Sequence, residues 1–439
     1  MSFVFSRLFI ILLIAGCIPL SLSWNFVSLR WFVVIYDLAL VTFAVIDYYI
    51  SKLPDNLIVK REFNKKFAIN DETEIKIAIE NKTPKTFHLI VKDEFPPQMR
   101  LKGKREARIK VEGQTSASLL YELTPPRRGQ FIFGETQIRY LSTLRLIWKQ
   151  KSVTQRQTVK VYPNLRKARE IEIAALGKQS LVATNRKANL RGEGRDFESM
   201  RDYVRGDELR HISWTATARR GKLVARQFQI EKDQNIIIAI DAGRLMTGRI
   251  ENETKFDNAV QAALALMSAG IRGGDNVGLI VFGRKVKKYL PPKRGSGQLD
   301  AAIEALHDIE PEIIEPSYSR ALEYISGNCK RRSLIVILTD LVDEEGSSEL
   351  LKSLKLLRPR HLPLVTTISD RDLRTISQKT PDSAKELFSK SVAEDILQKR
   401  ETALRKIETL GGLALDVTTK TLAPSLLETY FRVKERGLL

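Results

Sequence analysis

Two apolar runs at the N-terminus constrain this chain more than anything downstream of them. Leu8 to Trp24 is 17 residues without a charge, and Trp31 to Ile50 is 20 residues whose only charges are Asp37 and Asp47. A helix needs about 20 mostly apolar residues to cross the hydrocarbon core of a bilayer. The pair is therefore expected to form two N-terminal transmembrane helices, a hairpin over residues 1–52 that turns at Asn25 to Arg30, with Trp24 and Trp31 in the interfacial belt. Lys52, Lys60, Arg61, Lys65 and Lys66 follow closely. Basic flanks stay on the cytoplasmic side, which predicts a multi-pass protein of the plasma (inner) membrane with its soluble domains in the cytoplasm. Ile14-Ala15-Gly16-Cys17 also resembles a lipoprotein cleavage box, although Arg7 alone supplies the charged start that a signal requires.

The formal charge of +20 is unevenly placed. Residues 51–150 carry 20 basic and 12 acidic side chains, residues 151–235 carry 19 and 10, and residues 236–439 carry 31 and 28. The excess thus lies in the part that follows the apolar runs. Beside a membrane anchor, a basic excess favours an anionic lipid surface. No nucleic-acid recognition motif accompanies it, so nucleic acid is not expected as a partner. The two cysteines, Cys17 and Cys329, form neither a metal spacing nor a disulfide framework.

From residue 53 to 165 the pattern changes to short alternating runs such as TEIKIAIE, TFHLIVKD, SASLLYEL and QTVKVY, separated by NKTPK and PPRRG. Period-two alternation with turn chemistry at such intervals predicts an antiparallel, Ig-like β-sandwich. Residues 166–235 form a connector dense in Arg, Asp and Gly. From 236 to 439 strands and helices alternate, which predicts an α/β doubly wound domain with helices on both faces of a mostly parallel sheet.

Two strands of that domain end in acids. The apolar run Ile236 to Ile240 leads into Asp241, and Ser333 to Thr339 leads into Asp340. Open α/β sheets bind ligands at the carboxyl ends of their strands, at the point where the strand order reverses. Two carboxylates there must be separated, paired with cations or bridged by a metal. Mg²⁺ would suit such oxygens, with a hydroxyl lent by Ser317 or Ser319 in PSYSRALEYI.

This pattern resembles the von Willebrand factor A domain, whose metal-ion-dependent adhesion site uses Asp-x-Ser-x-Ser, a distant Thr and a distant Asp. Asp241 and Asp340 match the two acids and Ser317 lies nearest to the Thr, while Gly243 and Leu245 replace the two serines. The resemblance implies a degenerate site that holds metal weakly or not at all, with Asp241 bonded to loop amides or paired with Arg244. The block GEGRDFESMRDYVRGDELRHISWTATARRGKL, followed by IDAGRLM, resembles the bacterial membrane family called domain of unknown function 58, as does RRGQF at Arg127 to Phe131. That resemblance implies a MoxR-type AAA+ ATPase as partner.

Within the block and the IDAGRLM that follows, Arg195, Asp196, Arg205, Asp207, Arg210, Trp214, Arg219 and Arg244 mix both signs around one aromatic anchor. They are expected either to hold the connector on the α/β domain, with Trp214 packed in a groove, or to form a docking face for a partner protein. The histidines sit in no nucleophile elbow or zinc motif, so no catalytic residue is assigned. The reading that follows is a cytoplasmic-facing membrane adaptor, not an enzyme, working in assembly or maturation of envelope or secreted components. The alternatives are a metal-dependent hydrolase at Asp241 and Asp340, and a structural protein bound to anionic lipid.

Overall fold

A computed structural model of the chain describes residues 3–22, 27–51, 56–63, 66–164, 166, 168–170, 173–174, 196–204, 209, 212–229, 233–251, 253–342, 344–358 and 360–439. The chain divides into two compact units, Met1–Val161 and Tyr162–Leu439.

The expectation of two spans is corrected to one. The first apolar run forms the helix Arg7–Leu22, which has 16 residues and Pro19 inside it. At 1.5 Å per residue this reaches about 24 Å, short of a hydrocarbon core of about 30 Å. The second forms Val27–Ile50, and among the described residues only its segment Trp31–Ile50 is long and apolar enough to cross a membrane. A multi-pass topology therefore lacks its second span. Phe32, Val34, Ile35 and Leu38 of the long helix are exposed and form an apolar surface. The two helices pack closely at Gly16, where a Cβ would come within 2.8 Å of the Tyr36 ring, and Tyr36 Oη donates to the carbonyl of Leu12 at 2.9 Å.

The C-terminal end of the long helix is fastened to the β-sheets by Asp47. Its carboxylate accepts from the hydroxyl of Ser142, from the amides of Leu144 (3.0 Å) and Leu146 (3.3 Å), and from Ser51 Oγ (3.0 Å). Lys149 Nζ donates to the carbonyls of Tyr48 and Ser51 at 2.9 and 2.8 Å. Asp47, near the end of the candidate span, thus caps the turn at Ser142 to Leu146 of the same unit.

The antiparallel strands of this unit form a four-stranded sheet of Leu57–Phe63, Thr73–Asn81, Ser116–Thr124 and Arg100–Lys102, with five-stranded and three-stranded sheets beside it. Their inward residues share one core that includes Ile75, Ile77, Ile79, Leu89, Val91, Phe133 and Ile138, as the alternating runs required. Arg61 is part of this interior and not of the basic flank at the lipid surface. Its guanidinium holds Asp93 through two bonds of 3.0 and 2.6 Å, and both side chains are fully buried.

In the second unit, an antiparallel hairpin of Asp196–Asp202 and Val224–Gln229 flanks the short helix Trp214–Arg220. This is local order within the connector dense in Arg, Asp and Gly. The main sheet follows. We number its strands β1 Asn235–Asp241, β2 Asn276–Phe282, β3 Val286–Lys293, β4 Ser333–Thr339, β5 Leu362–Ser369 and β6 Leu413–Thr418. The helices are α1 Lys255–Arg272, α2 Gly297–Leu306, α3 Tyr318–Asn328, α4 Glu344–Leu357, α5 Arg371–Gln378, α6 Ala384–Thr409 and α7 Thr419–Glu435. The strand order is β3-β2-β1-β4-β5-β6, parallel throughout except for the edge strand β3.

Alternate residues of β1 feed two cores. Ile236, Ile238 and Ile240 pack with residues of α1, α2 and α7, while Ile237 and Ala239 pack with α3, α4 and α6. The order reverses between β1 and β4, so the crevice at their carboxyl ends is the topological switch point. Asp241 and Asp340 are both there.

Candidate functional site at the carboxyl edge

Asp241 is 1 % exposed and is held entirely by neutral donors. Oδ1 accepts from the Gly243 amide at 2.7 Å, and Oδ2 accepts from Thr339 Oγ1 at 2.7 Å and from Tyr318 Oη at 3.3 Å. Burial pushes its carboxyl up to about 6; the bonds from Thr339, Gly243 and Tyr318 hold it down, and the Asp340 charge adds to the rise. Of the two arrangements expected for Asp241, it takes the loop amide. Arg244 pairs instead with Glu315.

Asp340 is also 1 % exposed, but both of its oxygens are bound to cations. Lys255 Nζ lies 2.6 Å from Oδ2, and Arg400 Nη2 lies 2.6 Å from Oδ1. Arg400 Nε donates to the carbonyl of Leu341 at 3.0 Å, and Nη1 lies 3.8 Å from Asp416 Oδ1. Asp416 in turn pairs with Arg374 and accepts from Thr367.

Sequence reasoning missed both cations, although each left a signal. Arg400 sits on the buried stripe of α6 with Ala393, Ala403 and Ile407, where an unpaired arginine is untenable. Lys255 opens α1 directly behind its Thr254–Asp257 capping box. A cation there faces the positive end of the helix dipole, so a nearby acid was required.

Ser317 lies apart from these bonds. Its hydroxyl meets Ser319 Oγ and Glu349 Oε1, both at 3.2 Å, and Glu349 also accepts from the Ser319 amide at 3.0 Å. The structure therefore joins Asp241, Thr339 and Tyr318 in one network and Asp340, Lys255 and Arg400 in another, with Ser317 tied to α4. The donor set does not fit Mg²⁺, because the oxygens it would need on Asp340 are already held by Lys255 and Arg400. A serine at 243 meets a second obstacle: its Cβ would lie 2.7 Å from Pro316 Cδ and 3.0 Å from the Ile314 carbonyl.

The connector residues Arg195, Arg205, Asp207 and Arg210 lie outside the described residues, and Asp196 is described only as the first residue of its strand. Trp214 is described and is 67 % exposed, so it does not fill a groove within this unit. It opens a helix held in place by Ser213, whose amide donates to Val224, and by Thr217 Oγ1, which accepts from the Val224 amide. Arg219, Arg220 and Lys222 are exposed beyond it, and Gly221 closes the helix in the left-handed region (φ 65°). Leu209, Val204 and Leu223 are exposed in the same segment.

Residues 199–382 match the family described as protein of unknown function DUF58. Uncharacterized protein YeaD of Bacillus subtilis is 21% identical over 52% of this chain and 55% of its own length. Uncharacterized protein Mb1516 of Mycobacterium bovis is 22% identical over 41% of this chain and 56% of its own. The chain spans about half the length of these relatives. Among solved structures, proximal thread matrix protein 1 from the mussel byssus aligns over 46% of both chains at 13% identity, with a TM-score of 0.27. The DUF58 match takes in the Trp214 helix and the whole edge from Asp241 to Asp340.

Proposed function

We propose that this protein is a membrane-anchored adaptor, not an enzyme, tethered by Val27–Ile50 with its soluble units on the cytoplasmic side. The exposed Trp214 carries this reading. A tryptophan held out into solvent on a capped helix, with Arg219, Arg220 and Lys222 beside it, has the composition of an interaction hot spot. The α/β unit is read as a von Willebrand factor A-like domain whose adhesion edge has lost its metal ligands. The partner is read as a MoxR-type AAA+ ATPase, acting with this chain in assembly or maturation of envelope or secreted components, and the basic surface as lying near anionic lipid. A hydrolase at Asp241 and Asp340 is disfavoured because neither carboxylate is open to a substrate or a metal.

Gentle detergent purification from the native host, with and without ATP and Mg²⁺, tests the proposal when co-purifying proteins are identified by mass spectrometry. An AAA+ ATPase is expected with the wild type and should be lost with Trp214→Ala. If no ATPase appears under any nucleotide condition, the adaptor reading fails.

A further inference from the structure

A basic cavity lies between α4 and α6. On α4, Ser348, Lys352 and Lys355 recur at helical spacing, and on α6 Asp395, Lys399, Thr402 and Lys406 do the same, so each set shares one side of its helix. The two sides line a cavity of about 460 Å³, together with the half-buried Leu351 and the buried Ala403. All four lysines are exposed, so the cavity opens to solvent. Elsewhere on α6 the bases are paired one turn apart, Arg405 with Glu401 at 2.6 Å and Lys390 with Glu394 at 3.9 Å. In the cavity lining the acid among the described residues is Asp395, which pairs with Lys399 at 2.9 Å. Among the described residues no acid meets the ammonium groups of Lys352, Lys355 or Lys406. Like charges around one concavity repel each other, and its walls focus their field on an anion that enters.

We propose that this cavity binds a small oligophosphate, a group carrying two or more phosphates close together, held by Lys352, Lys355 and Lys406 without a metal ion. Its volume falls among small-ligand sites, which span roughly 300–1,000 Å³. Lysine is a compact point charge that binds phosphate without the planar fork by which arginine reads a carboxylate, and among the described residues no arginine lines the cavity. Three ammonium groups without an acid call for several negative charges in a small volume. Neighbouring phosphates supply that density, whereas an acidic peptide spreads single charges along its chain. The Ser348 hydroxyl adds a neutral donor beside them. A soluble compound and a lipid headgroup with two phosphates carry the same chemistry, and the test separates them. The site stands apart from Trp214 and does not rest on the adaptor reading.

The test is a calorimetric titration of the full chain in neutral detergent, at physiological salt, with inorganic tripolyphosphate or orthophosphate in either EDTA or Mg²⁺. Tripolyphosphate should bind in EDTA, at least about tenfold more tightly than orthophosphate. Lys352→Gln combined with Lys355→Gln should weaken that binding about tenfold or more. Asp395→Asn, which releases Lys399, should tighten it about threefold. The control, Lys285→Gln combined with Lys288→Gln beside and on the edge strand β3, removes the same charge and should leave it unchanged. Every substituted side chain is exposed, so the fold stands in each variant. Mixed micelles containing cardiolipin, whose headgroup carries two phosphates, form the lipid arm. Displacement of tripolyphosphate by these micelles assigns a lipid headgroup to the site, and its retention assigns a soluble ligand. Absence of tripolyphosphate binding, binding no tighter than that of orthophosphate, a requirement for Mg²⁺, or equal losses in the two double variants overturns the proposal.

Discussion

Replacing Asp241 by Asn should remove a pH dependence that the fold imposes on its own stability. The carboxyl is raised from 3.8 to about 6, chiefly by burial. That shift is about two units, and at about 1.4 kcal/mol per unit it corresponds to about 3 kcal/mol. Between about pH 4 and pH 6 the folded chain keeps a proton that the unfolded chain has released, so this contribution to stability falls as pH rises through that window. Above about pH 6 the full cost is present. About 2 kcal/mol of it falls between pH 4.5 and pH 7.5, which at roughly 2 °C per kcal/mol for a unit of this size is about 4 °C in Tm. Asn keeps the shape and can still accept from the Gly243 amide. Melting curves of the detergent-solubilised chain and of Asp241→Asn across that range isolate the effect, since every other titrating group cancels in the difference. The wild type should lose about 4 °C relative to the variant as pH rises. Parallel pH profiles would refute the reasoning.

Arg400→Met should destabilise the α/β unit by roughly 3–5 kcal/mol, because it leaves Asp340 buried with one cation fewer; denaturant unfolding followed by far-UV dichroism measures it, and Arg400→Lys should recover part. Arg61→Met should cost the β-sheet unit a similar amount, roughly 3–5 kcal/mol, by stranding Asp93, read as faster limited proteolysis within residues 56–161. Tyr121→Phe, which removes one donor to the same acid, should cost only about 1–2 kcal/mol. Gly243→Ser restores the hydroxyl of the adhesion motif but forces a Cβ against Pro316; it should lower stability by about 1–3 kcal/mol and give no Mn²⁺-dependent rise in Tm.

The sequence made the centre of the second unit's sheet legible because β1 and β4 are apolar runs closed by Asp241 and Asp340, and the cores on both faces follow from the alternation of β1. Ser333–Thr339 stands at the expected residues. The alternating runs of the first unit likewise gave antiparallel sheets. The first run was misjudged because a charge-free run is not a helix of equal length: its described helix, Arg7–Leu22, has 16 residues with a proline inside. Arg61 was misplaced because a basic residue near an apolar run looks like a membrane flank, and only the fold brings Asp93 beside it. At the carboxyl edge the two acids were legible, and their partners were not. Lys255 and Arg400 lie 85 and 60 residues from Asp340, a separation that no local pattern bridges. Ser317 was chosen for its hydroxyl and loop position, but Glu349 claims it.

Site-specific photo-crosslinking in the native host addresses the adaptor claim most directly. A photo-activatable residue would be placed at Trp214 and, as control, at Ile313, which is 87% exposed on the same unit. A discrete protein adduct at 214 that is absent at 313 is the predicted result, with mass spectrometry naming an AAA+ ATPase. No adduct at 214, or the same adducts at both positions, would contradict it.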